Sequence, residues 1–134
     1  MTFEDAVEAR ARSVALVAEL VGNQIAWGRR LSGVPAISLQ VIADPRPAHF
    51  KGFQSPRPTL VQIDIMSRSA TEARMVREAL IVALVTPATV GAVRFQRAEI
   101  SNVRSGAADQ QGADLRVRPE IFRESVDINF WHNG

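Results

Sequence analysis

Glu120-Ile-Phe-Arg-Glu-Ser-Val-Asp-Ile-Asn-Phe-Trp131 alternates apolar and polar side chains almost without a break, and this run decides the fold. Successive side chains of an extended strand point to opposite faces, so Phe122, Val126, Ile128 and Phe130 share an inward face while Asp127, Asn129 and Trp131 share the polar one. Such a strand builds a sheet with one face in the core and the other in water.

The same period recurs upstream. Val61, Ile63 and Ile65 alternate with Gln62 and Asp64, predicting a strand over 59–66, and Ile37, Leu39 and Val41 alternate with Ser38 and Gln40 after Pro35. A further strand is expected over 92–100, where Val93 and Phe95 alternate with Arg94 and Gln96 before the pattern decays. Two helices complete the set. Thr2 followed by Asp5, and Ser69 followed by Glu72, have capping-box spacing. The first helix carries Phe3, Val7, Val14, Val17 and Val21 at helical spacing and stops at Gly22-Asn23; the second carries Ala73, Val76, Leu80 and Leu84 and stops at Pro87. The expected fold is α+β in the order helix-strand-strand-helix-strand-strand, with a mostly antiparallel four-stranded sheet and both helices on one face.

At 134 residues the chain fits one domain, 1–134, with long loops at 43–58 and 101–118. The first loop holds four of the seven prolines, which cannot pair continuously in a sheet interior. The second lacks periodicity.

Composition excludes several classes. The chain has no Cys, hence no disulfide framework, thiolate nucleophile or Cys-based zinc site, and this is compatible with a reducing cytosol. No apolar run approaches the roughly 20 residues of a membrane span, and the acidic N-terminus is unlike a secretory signal, so a soluble, unprocessed protein with no membrane partner is expected. The pI near 10.3 suggests nucleic acid, yet the net charge is only +2. Lys51 is the one lysine among 16 basic side chains, and Tyr and Cys are absent, so few groups release a proton above neutrality. The high pI reflects missing titrators rather than a basic surface.

No chemistry-bearing motif is present. His49 and His132 belong to no ligand pair, no Gly-x-Ser-x-Gly elbow or phosphate loop exists, and Gly22, Gly28 and Gly33 are too widely spaced for a dinucleotide fingerprint. No catalytic residue, metal site or cofactor is expected. Asp64 and Asp127 read as charges on wet strand faces. Arg94, Arg97, Arg104, Arg116 and Arg118 suit phosphates but lack interleaved aromatics, so a nucleic-acid-binding module ranks low. Trp131, on the polar face, fits either an interface or a ring folded over the sheet edge.

The chain resembles the tail-completion, or tail-terminator, proteins of long-tailed phages and phage-like gene transfer particles. The likeness rests on Val21-Gly-Asn-Gln-Ile25 closing the first helix, on Pro35 before a strand, on Arg57-Pro-Thr-Leu-Val-Gln-Ile-Asp-Ile-Met-Ser-Arg-Ser-Ala-Thr-Glu-Ala73, and on the terminal Phe122-to-Trp131 run. Ala36-Ile37 depart from it, since family members often place an aromatic after that proline.

The resemblance implies a virion structural protein of the particle neck or tail, assembled in the host cytoplasm. It implies a hexameric ring that caps the tail tube protein, stops its polymerisation and meets a head-neck stopper or connector protein, with DNA passing through the lumen without sequence recognition. A head-side stopper or connector ring is the alternative. On this reading Ser38, Gln40, Gln62, Asp64, Arg94, Gln96, Ser125, Asp127 and Asn129 face the lumen, and His49, Phe50, Lys51, Phe53, Arg104, Arg116, Arg118 and Trp131 are interface candidates.

Overall fold

The computed structural model describes residues 2–28, 33–45, 48–49, 52–53, 57–107 and 121–133. Its elements are α1 (Phe3–Arg12), α2 (Ala15–Leu20), β1 (Ile25–Trp27), β2 (Ala36–Ala43), β3 (Ala48–His49), β4 (Gly52–Phe53), β5 (Arg57–Ser67), α3 (Ala70–Val85), β6 (Ala88–Val90), β7 (Val93–Ala107) and β8 (Phe122–Asn133).

The expected four-stranded, mostly antiparallel sheet with two helices is overturned. Six strands run in the order β1-β2-β5-β8-β7-β6, and the sheet is mixed because β1 pairs parallel to β2. The additions, β1 and β6, have three residues each, too few for alternation to announce them. A separate two-stranded ladder joins β3 to β4.

The single first helix is two. Thr2 caps α1 through the expected box: its Oγ1 accepts from the Asp5 N–H at 3.1 Å and its N–H donates to Asp5 Oδ2 at 3.2 Å. The helix ends at Ser13, whose hydroxyl donates back to the Arg10 carbonyl at 2.7 Å, and Val14 is extended before α2 begins. Serine offers the backbone such an alternative to helix. The apolar stripe conceals the break, because Val17 and Val21 still reach the core after it.

β7 is longer than its sequence suggests. Register shifts between Phe95 and Arg97 and between Ile100 and Asn102 insert extra residues against β8, each of which flips the phase of the side chains that follow. The pattern therefore decays in sequence while the strand continues. Residues 101–107 of the expected second loop belong to β7, and 108–118 lie outside the described residues. Of 43–58, Ala43 ends β2 and Arg57-Pro58 open β5. The β2–β5 register ends at Leu60, and Arg57–Thr59 pair with β8 alone, so Pro58 sits where no described strand needs its missing N–H.

α3 lies over β5 and β8, burying Ala73, Val76, Leu80 and Leu84, with Ser69 Oγ accepting from the Glu72 N–H at 3.2 Å. At one end of the core Phe3, Phe95 and Phe130 meet with ring centroids 5.7–5.9 Å apart. Each ring buried there contributes about 1.5–3 kcal/mol. Arg10 crosses above them, 4.7 Å over Phe95, and donates to the carbonyls of Ala83 (2.6 Å) and Thr86 (2.5 Å). This closes the C-terminal end of α3 against α1, as cations near helix C-termini do. Burial holds the Arg10 guanidinium below its ordinary pKa.

Candidate functional site: the polar face of the sheet

Cross-strand register lays the outward side chains in rows. Ser38, Asp64, Ser125 and Arg104 form one row across β2, β5, β8 and β7; Gln40, Gln62, Asp127 and Asn102 form the next; Leu60, Asn129 and Glu99 follow, and then Pro58, Trp131 and Arg97. Seven of the nine expected lumen positions thus share a face among β2, β5 and β8. Arg94 joins that face at its margin opposite Asn133, and Gln96 is the extra residue of the first bulge.

The rows are wired internally. Ser125 Oγ donates to Asp64 Oδ1 at 2.5 Å, and the Gln62 amide donates to both Asp64 oxygens at 3.0 and 3.2 Å. Arg104 grips Asp127 with both guanidinium nitrogens at 2.8 and 3.2 Å. The hydrogen bond to Asp127, reinforced by the charges of Asp127 and Asp64, holds Arg104 above its ordinary pKa. Arg97 lies 3.6 Å from Glu99 and 4.2 Å over the Trp131 ring. Charges of both signs therefore interleave on the described part of this face, Arg104 answering Asp127 and Arg97 answering Glu99.

Arg104 was expected in a loop and instead occupies β7, on the polar face. Trp131 lies on that face as its period requires, half-buried beneath Arg97. His49 and Phe53 fall in the β3–β4 ladder, and Phe50, Lys51, Arg116 and Arg118 lie outside the described residues. Sequence reasoning missed Arg97, Glu99, Asn102 and Arg123 as members of this face. The two bulges erased the alternation that would have placed the three on β7, whereas Arg123 follows directly from the period of β8.

His132 belongs to the core. It is fully buried, stacked on Phe3 with centroids 4.0 Å apart, and its Nε2 lies 2.7 Å from Thr59 Oγ1. The Thr59 hydroxyl donates to Asp44 Oδ1 at 2.9 Å, so His132 Nε2 carries the proton in their contact. A hydroxyl, an imidazole and a carboxylate meet here, yet Thr59 is 2% exposed and His132 0%, which bars a substrate from the hydroxyl. The set anchors the start of the Pro-rich segment to the core. Among the described residues, no group of three or more His, Asp or Glu is placed to hold a metal ion. Surface depressions beside β6 and between α2 and α3 are lined by Thr89, Arg94 and Gln96, and by Leu16, Thr71, Arg74, Met75 and Glu78.

No family model matches the chain, and no curated protein matches it. The fold, however, has a solved counterpart. A chain from the virion of a native gene transfer agent particle superposes with a TM-score of 0.70 at 14% identity, covering 98% of this chain and 95% of that one. At that identity the likeness establishes a shared architecture over nearly the whole length of both chains.

Proposed function

We propose that this chain is a structural protein of a phage-like particle, a single domain acting as a tail terminator: a ring that caps the tail tube, stops its growth and joins it to the neck. The observation that carries this reading is the end-to-end likeness to a gene transfer agent virion chain, in which neither protein has a large unmatched part. The polar face agrees with it. Ser38, Gln40, Gln62, Asp64, Arg94, Gln96, Ser125, Asp127 and Asn129 would line the lumen, where hydrogen-bonded and charge-matched side chains let DNA slide past without gripping phosphates. Heterologous contacts that close under rotation make such rings.

Mass measurement and electron microscopy of the purified protein, alone and with tail tube protein, test the reading. Closed rings of about six times the 14.7 kDa chain, seated on tube ends, are expected, together with overlong tails in particles lacking the protein. A chain that stays monomeric beside tube protein, with tails of normal length in its absence, would exclude the terminator role. Rings that bind neck components but never tubes would move it to the head-side stopper.

A further inference from the structure

The sheet has two unlike margins. On one, β6 pairs with Val93–Phe95 only, and from Gln96 to Ala107 no described residue pairs with the outer edge of β7. On the other, β1 pairs with Ile37–Leu39, and from Gln40 to Ala43 no described residue pairs with the outer edge of β2. These lengths lie toward opposite ends. Followed across the sheet, Ile37 is level with Ile65, Glu124 and Ser105, so β1 stands at the end where β7 has no described outer partner. β6 stands level with His132, toward the end where β2 has none. β1 and β6 thus stand at different levels of the sheet, β1 beside Val103–Ser105 and β6 beside Val93–Phe95, so both can occupy one strand position without colliding.

An unpaired row of backbone N–H and C=O groups is a template for another strand, and proteins ordinarily blunt such edges with proline or lysine. The stretch of β7 from Gln96 has neither, and although two bulges and the charges of Arg97 and Glu99 blunt its first part, the ladder from Asn102 to Ala107 runs without a bulge. The stretch instead carries Ile100 and Val103, 43% and 42% exposed, on the helix-side face opposite Ile128 and Val126.

The geometry points to a second copy of this chain as the occupant: β1 of one copy adds to the outer edge of β7 in the next, sharing with that copy's β6 a single strand position between β7 and the neighbour's β2. Direction fits, because β1 runs parallel to β2 while the successive antiparallel pairings of β2, β5, β8 and β7 leave β7 running opposite to β1. Copies in the same orientation therefore meet antiparallel. With the sheets level, Ala26 comes opposite Arg104 on the polar side and Trp27 opposite Val103 on the helix side. The outward Ile25 groups are already used, its N–H by the Asn23 carbonyl at 2.9 Å and its carbonyl by Arg12 Nη2 at 3.3 Å, so Trp27 supplies the backbone groups of the contact. Trp27 is half-buried and tethered by its Nε1, which donates to the Glu4 carbonyl at 3.1 Å, so it presents a fixed ring to the exposed Val103. The inference rests on the ring reading and supplies its subunit contact.

The absence of Cys makes the test direct. Single variants Ala26→Cys and Arg104→Cys, separately and mixed, are oxidised and run on non-reducing gels beside electron microscopy of the same samples, with Met75→Cys on α3 as the control partner. Disulfide between Ala26→Cys and Arg104→Cys should form only in the mixture, at least tenfold above the control, and in rings. Rings without cross-linking of Ala26→Cys to Arg104→Cys, or to Asn102→Cys or Gly106→Cys made alongside, would overturn the pairing and leave the ring reading standing. Arg104→Cys cross-linking to itself as readily would also overturn it, assigning the edge to a two-fold dimer. Mixed disulfides without rings would keep the pairing and retire the ring. Val103→Lys should raise the concentration needed for assembly at least tenfold with an unchanged far-UV spectrum; unaltered assembly counts against the contact.

Discussion

On the inner face of β8, the Glu124 carboxylate is 3% exposed and held by Arg77 at 3.1 Å, Arg74 at 3.6 Å and the Ser105 hydroxyl at 2.5 Å. On the outer face, three residues along the same strand, Asp127 sits in the fork of Arg104, whose side chain is 43% exposed. Both are carboxylate–arginine pairs, and they do different work. The inner carboxylate has been taken from water and depends on its partners, while the outer one keeps water as a substitute. Burial works against the Arg77 charge, but the Glu78 hydrogen bond and the charges of Glu124 and Glu78 hold its pKa above the ordinary value. The inner face of β8 fixes the fold, and the outer face keeps its charges in contact with water.

Mutations probe this contrast. Phe130→Ala, which empties a fully buried position between Phe3 and Phe95, should cost about 3–5 kcal/mol in denaturant unfolding; a loss below about 1 kcal/mol would show that the inner face does not carry the fold. Glu124→Gln should follow at about 3 kcal/mol, the lower end for a broken buried pair, because Arg77 retains Glu78. Thr59→Val removes the acceptor of the His132 N–H and should cost about 1–3 kcal/mol, read as a lowered midpoint. Asp127→Asn on the outer face should leave the unfolding midpoint unchanged while altering particle assembly or DNA passage; destabilisation comparable to that of Glu124→Gln would erase the distinction between the faces.

The smallest effect concerns pH. Hydrogen bonds from the Thr2 backbone and side chain hold the exposed Asp5 carboxyl below its ordinary value of 3.8. A carboxyl whose folded pKa is depressed stabilises fully above its unfolded value and loses that contribution as pH falls through the folded one. Asp5→Asn should therefore lower stability slightly at neutral pH, with the difference from the parent vanishing as pH falls below about 4, measured by thermal unfolding across pH.

The period of Phe122 to Trp131 and of Leu60 to Ile65 placed the two central strands, and the helix over 70–85 followed from Ser69, Glu72 and Pro87, because long elements repeat their signal often enough to be read. The polar face was legible for the same reason on β2, β5 and β8. On β7 it was not, since each bulge reverses the phase and makes a strand look like a loop. Arg104 was consequently assigned to the wrong kind of element, and its grip on Asp127 could not be foreseen across 23 intervening residues.

Local sequence, then, determined which segments extend, which coil and which side of each strand tolerates water, because those properties depend on neighbours one to four residues away. Tertiary structure decided what depends on residues far apart in the chain: that β1 and β6 complete a mixed six-stranded sheet, that His132 is buried against Phe3 and Thr59, and that no described residue pairs with the outer edge of β7 from Gln96 to Ala107. Three-residue strands carry too little free energy to specify themselves, so their pairing is fixed by the strands already beside them.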